Sequence, residues 1–192
     1  LIAGSCGVII GYAVVRRRGT KLSAWVSGLS FFPYLVPAMA FSAIYLAIST
    51  NFPFLTNSFL ILVLVGSVKY LPFATKAGTN SMLQLSGEIE EAAVIQDVPW
   101  IKRMTRIIIP IQKSSIISGY LLPFMTCLRE LSLFMLLCVQ GFILSTTLDY
   151  FDEMGLYAFS SGINLILIVT ILICNALVNK VTGASLDKGI GG

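Results

Sequence analysis

Glu90-Glu91-Ala92-Ala93-Val94-Ile95-Gln96-Asp97-Val98-Pro99-Trp100-Ile101-Lys102-Arg103-Met104-Thr105-Arg106-Ile107-Ile108-Ile109-Pro110 is the most charged and most interrupted stretch of this sequence. It separates long apolar runs. As a helix, its first part sets Ile89, Ala92, Ala93 and Gln96 on one face at i, i+3, i+4, i+7 spacing, with Glu88 and Glu91 beside it. Pro99 suits the first residue of a second helix, where its missing N–H costs nothing. That second helix carries Trp100, Met104 and Ile107 on one side, Lys102, Arg103 and Arg106 around the other, and is expected to end at Pro110. Neither piece is long enough to be stable alone. The pattern is a helix–turn–helix elbow that needs a surface to dock against.

The surrounding composition says where the elbow sits. Of 192 residues, 56% are hydrophobic and 11% charged, against about a quarter charged in soluble domains. Leu22 to Val68 contains no Lys, Arg, Asp or Glu, and a membrane-spanning helix needs about 20 apolar residues. The chain therefore reads as an all-α, polytopic membrane protein: a single transmembrane domain over residues 1–192 in a lipid bilayer. Five spans are expected: Leu1–Val15, Phe31–Ser49, Asn57–Phe73, from Lys113 to Val139, and Gly162–Asn179. Asn51-Phe52-Pro53 breaks the second from the third. Leu22–Ser30 is expected to lie along the membrane surface, with Trp25 at headgroup level. The chain opens without Met inside an apolar run, so its native N-terminus is expected to be missing.

Arg16, Arg17, Arg18, Lys21, Lys76, Lys102, Arg103, Arg106, Lys113, Lys180 and Lys188 follow spans one, three and five. The alternate segments, Thr50–Thr56 and Gln140–Ser161, hold only Asp149, Asp152 and Glu153. Positive residues collect on the cytoplasmic side. The N-terminal end is thus expected outside, with the elbow and the C-terminus in the cytoplasm. The basic excess follows from topology and calls for no nucleic-acid partner.

Several chemistries are disfavoured. Histidine is absent, and Cys6, Cys127, Cys138 and Cys174 lie apart in apolar runs. They read as small buried hydrophobes rather than metal ligands. The sequence has no G-x-x-x-x-G-K-[ST] loop for nucleotide hydrolysis. No cofactor and no catalytic role are expected.

The elbow resembles the signature of the membrane subunits of type I ABC importers: Glu-Ala-Ala, three residues, Gly, nine residues, Ile-x-Leu-Pro. Here stand Glu91-Ala92-Ala93, Asp97 at the glycine position, and Ile107-Ile108-Ile109-Pro110. Aspartate tolerates the positive φ that glycine supplies there better than most residues. The resemblance implies a type I importer permease core whose elbow is a coupling helix seated in a cytoplasmic ABC ATPase. Glu90, Glu91, Ala92, Ala93, Asp97, Pro99, Ile107 and Pro110 would form or shape that contact. It also implies a periplasmic substrate-binding protein, a second permease half (fused or a second copy), and a bacterial inner-membrane location. An amphipathic surface helix without a partner is the alternative.

Leu128-Arg129-Glu130-Leu131-Ser132 falls within the expected fourth span. Arg129 would stand roughly 24 Å beyond Lys113 at 1.5 Å per residue. An arginine there costs about 2.5–3.5 kcal/mol on insertion scales, and adjacent helical positions point about 100° apart. Arg129 and Glu130 therefore each need a partner elsewhere. Either they, with Ser132, line a translocation pathway or gate, or they form a buried ion-pair network that sets packing. Leu128–Ser132, together with Tyr70-Leu71-Pro72-Phe73-Ala74-Thr75-Lys76, resembles the ferric-iron subgroup of these permeases. Permeases for aminoethylphosphonate, polyamines or sulfate have similar layouts. A secondary transporter would show an inverted repeat with broken spans at the midplane, and no such repeat is visible. A non-transporting scaffold would leave the embedded Arg129 and Glu130 without a purpose.

Overall fold

The structure, a computed structural model, describes residues 1–55, 58–137 and 143–182. Asn57, Cys138, Val139 and Lys188 lie outside the described residues, as do parts of the two loops compared above. Among the described residues every regular element is helical. The helices are α1 (Ile2–Arg16), α2 (Lys21–Leu35), α3 (Ala38–Ser49), α4 (Phe59–Lys69), α5 (Leu71–Leu83), α6 (Gly87–Ile95), α7 (Trp100–Ile111), α8 (Lys113–Leu128), α9 (Leu144–Glu153) and α10 (Tyr157–Thr182).

Only α10 is by itself long and apolar enough to cross a membrane among the described residues. Three helix pairs are long and apolar enough only if each is counted as one span across a short break: α2 with α3, bent by 100°, α4 with α5, bent by 47°, and α7 with α8, bent by 84°. This corrects the expected second and third spans. Leu22–Ser30 is not a separate surface helix, because α2 runs on to Leu35. The break falls instead at Val36-Pro37. Pro37 has no N–H for the Pro33 carbonyl, and a residue before proline is driven to extended backbone, as Val36 shows at φ −81°, ψ 128°. The fifth span, expected from Gly162 to Asn179, starts earlier, at Tyr157, and its apolar stretch runs to Leu177. A short helix, α9, occupies part of the loop before it.

Glycine sets the closest contact. α1 packs along α5 with almost no side chain between them. A Cβ on Gly7 would lie 2.4 Å from the Ala74 carbonyl carbon, and one on Gly78 only 2.3 Å from the Gly7 oxygen. Lipid offers no hydrophobic force to press helices together, so such backbone-to-backbone approach supplies the van der Waals contact instead. α5 also packs on α8, while α9 and α8 pack on α10.

Two apolar clusters lie at opposite ends of this body. Val8, Met82, Leu85, Met104, Ile108 and Ile116 join α1, α5, α7 and α8 beneath the elbow. Phe41, Ile61, Leu62, Val65, Tyr70, Leu133, Phe134 and Leu137 join α3 and α4 to the segment after α8. On α10, by contrast, Leu165, Ile166, Leu172, Ile173 and Leu177 are exposed, which is unremarkable for a face turned to lipid or a partner span.

Candidate functional site

The elbow is built by local rules. Ser86 caps α6, its hydroxyl accepting a bond from the Glu88 N–H at 3.3 Å. Glu88 and Glu90 occupy the first turn, where carboxylates favour the helix dipole. α6 ends in a Schellman motif: the Asp97 N–H donates to the Val94 carbonyl at 2.9 Å and the Val98 N–H to the Ala93 carbonyl at 3.0 Å. Asp97 takes φ +53°, and it is the one non-glycine residue at positive φ among those described. The aspartate thus adopts the conformation for which the signature uses glycine. Pro99 precedes Trp100 and caps α7, one position from where the sequence placed it.

The first helix of the elbow, α6, has a buried side and an exposed one. Glu90 and Ala93 are its buried residues, while Ile89 and Ala92 are exposed. The cause is Glu90. Its carboxylate forms an ion pair with the Arg16 guanidinium and accepts a bond from the Tyr12 hydroxyl. Tyr12 also meets Trp100 edge-to-face, ring centroids 6.0 Å apart. One buried carboxylate therefore ties α1, α6 and α7 into a single corner. Glu91 and Asp97 remain exposed, as do the apolar side chains of Val94, Ile95 and Ile101.

α7 does not stop at Pro110. It widens into a π-turn over Met104–Ile108 and continues to Ile111 before bending at Gln112. Pro110 cannot donate to the carbonyl one turn back and its ring presses on it, so the ladder there loosens. Met104 and Ile108 fill the cluster beneath the elbow, Ile107 is half-buried, and Pro110 is exposed. Buried Gln112 receives the Ser81 hydroxyl at 3.3 Å, fixing the bend against α5.

At the other end, the expected fourth helix is cut short. α8 ends at Leu128, with Arg129 at φ −99°, ψ 0° as its cap. The segment then turns back on itself. Its last turn tightens through the Arg129 N–H to Thr126 carbonyl bond at 3.3 Å. Glu130 Oε1 accepts from the Leu133 N–H at 3.2 Å, and Leu133, Phe134 and Leu137 are buried as a result. Continuing the helix would forgo that burial. Glu130 does find its partner elsewhere, at the break between α4 and α5: the Tyr70 hydroxyl donates to Oε2 at 2.6 Å. Ser145 donates to the Glu130 carbonyl at 2.7 Å, attaching α9. Arg129 and Ser132 are exposed. Arg129 has no hydrogen-bond or ion-pair partner among the described residues.

Lys69 is the residue that sequence reasoning missed. It is 8% exposed. Its ammonium donates to the Pro33 carbonyl at 2.9 Å and to the Val36 carbonyl, and lies 5.2 Å from the Phe41 ring centroid. Those carbonyls are the ones orphaned by the break between α2 and α3. A backbone carbonyl left unpaired away from water costs about 1–3 kcal/mol, so Lys69 serves as the staple of the broken span. The available signal was Pro33-x-x-x-Pro37, which guarantees one carbonyl without its helical donor.

No group of His, Cys, Asp and Glu converges as metal ligands among the described residues. The arrangement offers mechanical parts: a pinned elbow, stapled bends, and an exposed arginine at the end of α8.

No curated protein sequence matches the chain. An inward-facing crystal structure of the MetNI methionine ABC transporter matches it with a TM-score of 0.73, covering 94% of this chain and 88% of that one at 14% identity. At that identity the likeness speaks for the fold, and the fold is that of a type I ABC importer permease. Residues 4–184 match the family of binding-protein-dependent transport system inner membrane components, and the chain belongs to that family.

Proposed function

We propose that this inner-membrane component is the permease of an ATP-driven importer, and that its elbow receives the stroke of a cytoplasmic ATPase. The observation that carries this reading is the division of labour between neighbouring glutamates. Glu90 is spent internally on Arg16 and Tyr12, making the elbow rigid with α1. Glu91, Ala92, Ile95 and Asp97 are left exposed on its outer side. A lever needs both, a rigid root and a free contact surface. Glu91 offers the partner a charge-assisted hydrogen bond, and the small Ala92 allows close approach. The lysine and arginine bias supports an elbow and C-terminus in the cytoplasm and an N-terminal end outside.

A second permease half, fused or a separate copy, completes the pathway, and a periplasmic binding protein delivers the cargo. Arg129, Glu130 and Ser132 border the gate: Glu130 holds the turn through Tyr70 while Arg129 presents its charge. Ferric iron is the proposed cargo. The bond from Tyr70 to Glu130 joins the two stretches, Tyr70–Lys76 and Leu128–Ser132, that resemble ferric-iron permeases. The test is uptake of radioactive ferric iron into proteoliposomes holding the assembled transporter and its binding protein. ATP-dependent accumulation of iron is expected. Accumulation of another cargo while iron stays outside would overturn the iron assignment and leave the permease assignment standing.

A further inference from the structure

A cleft of about 420 Å³ lies between α2 and α5, and none of its lining residues belongs to the elbow. Ser27, Gly28, Ser30 and Phe31 form one wall; Pro72, Thr75, Lys76, Thr79 and Asn80 form the other. These positions recur at helical spacing, so each helix turns a stripe toward the other. Lys76 is the only charged residue in the lining.

Thr75 marks the cleft as more than a gap in packing. It is 6% exposed, and its Oγ1 has no hydrogen-bond partner. A buried hydroxyl left unmatched is destabilising, and nothing in the packing of α2 on α5 requires a hydroxyl there. The neighbouring hydroxyls are already committed as donors: Thr79 to the Thr75 carbonyl at 2.8 Å, and Ser30 to the Ser27 carbonyl at 2.8 Å. Their oxygens keep lone pairs to offer. The Lys76 ammonium sits 5.9 Å from the Phe31 ring centroid. A Cβ on Gly28 would meet nothing within 4 Å, so that wall stays open.

We propose that this cleft binds an oxyanion, a phosphate or carboxylate group. The ammonium of Lys76 supplies the charge; the Thr75 hydroxyl and the Asn80 amide supply neutral donors. The oxygens of Thr79 and Ser30 accept from any hydroxyl the ligand carries. The oxyanion is either part of a soluble ligand or the headgroup phosphate of a lipid, and both present the same chemistry to these residues. The site stands apart from the elbow, so it holds or fails independently of coupling.

The experiment measures binding to the assembled transporter, not uptake. Titration calorimetry uses inorganic phosphate and citrate as probes. Native mass spectrometry scores retention of phosphatidylglycerol against phosphatidylcholine from nanodiscs. One oxyanion per chain is expected. Lys76→Met should weaken it about tenfold or more and the isosteric Thr75→Val about threefold, while Lys76→Arg retains it. Heat from phosphate or citrate that phosphatidylglycerol does not abolish identifies a soluble ligand. Selective retention of phosphatidylglycerol without such heat identifies a headgroup. If wild type takes up none of the three probes, or if neither Lys76→Met nor Thr75→Val alters uptake of any of them, the proposal is overturned.

Discussion

The elbow and the α2–α3 break are both sharp bends in a helical chain, yet they are held by opposite means. The elbow's turn is closed by its own backbone: Ser86 caps one end, and Asp97 and Val98 bond back to Val94 and Ala93 within a few residues. The break at Val36-Pro37 leaves carbonyls that no nearby residue can satisfy. Lys69, more than thirty positions away, reaches them. Water explains the difference. A bend at an aqueous surface can leave backbone groups to solvent, whereas one inside a bilayer must find every partner within the protein. A locally encoded bend can be recognised and moved as a unit. A remotely stapled bend fails when the staple is removed, however intact its own sequence.

The largest effect expected from this contrast is on coupling. Glu91 is exposed, so Glu91→Lys should leave membrane insertion and thermal stability near wild type. Reversing a charge at a partner contact typically costs 2–5 kcal/mol or more, so ATP-coupled uptake should fall by about a hundredfold. Uptake in proteoliposomes, beside protein abundance in the membrane, makes the measurement. Uptake at the normal rate would remove the elbow from the transmission of work.

Smaller effects separate staple from gate. Lys69→Met keeps the unbranched stem but removes every donor from the Pro33 and Val36 carbonyls. At about 1–3 kcal/mol for each of the two unpaired groups, a loss of about 2–6 kcal/mol is expected, read as a lowered midpoint of unfolding in detergent. Arg129→Ala should do the reverse. Having no partner among the described residues, Arg129 should cost less than about 0.5 kcal/mol of stability, while uptake drops several-fold. Equal loss of abundance and uptake in Arg129→Ala would place that residue with the packing instead.

The same contrast decides what the sequence revealed. The membrane class, the elbow, its turn at Asp97 and the cap near Pro99 were legible because each follows from composition or from residues within one turn of helix. The span boundaries were less so. Phe31–Ser49 reads as one apolar run, and hydropathy carries no sign of a 100° bend; only the spacing of Pro33 and Pro37 does. Lys69 hid inside the expected third span, Asn57–Phe73, because its purpose lies on another span. The end of α8 at Leu128 was hidden too, since Glu130 gains its meaning from Leu133 and Tyr70, one just beyond it and one sixty positions back. Gly7 and Gly78 were visible as glycines, but their pairing emerges only when α1 lies on α5. Glu90 shows the limit even in the elbow: the resemblance grouped it with the contact residues, and its ion pair with Arg16 holds it inward.

The smallest expected effect is at Asp97. Left-handed backbone costs an ordinary L-residue about 1–2 kcal/mol, and aspartate somewhat less. Asp97→Gly removes that strain but also loosens the unfolded chain, so the net change should stay within about 1 kcal/mol. Asp97→Val adds a branched side chain where φ is +53° and should fray the last turn of α6. The readout is amide hydrogen exchange at residues 97 and 98, whose N–H groups close the turn. Faster exchange in the valine variant and unchanged or slower exchange in the glycine variant are expected. Equal protection in all three proteins would mean that the Arg16, Tyr12 and Glu90 corner holds the elbow without help from its turn. The elbow would then belong with the stapled bends, and the division between the two ends of the molecule would disappear.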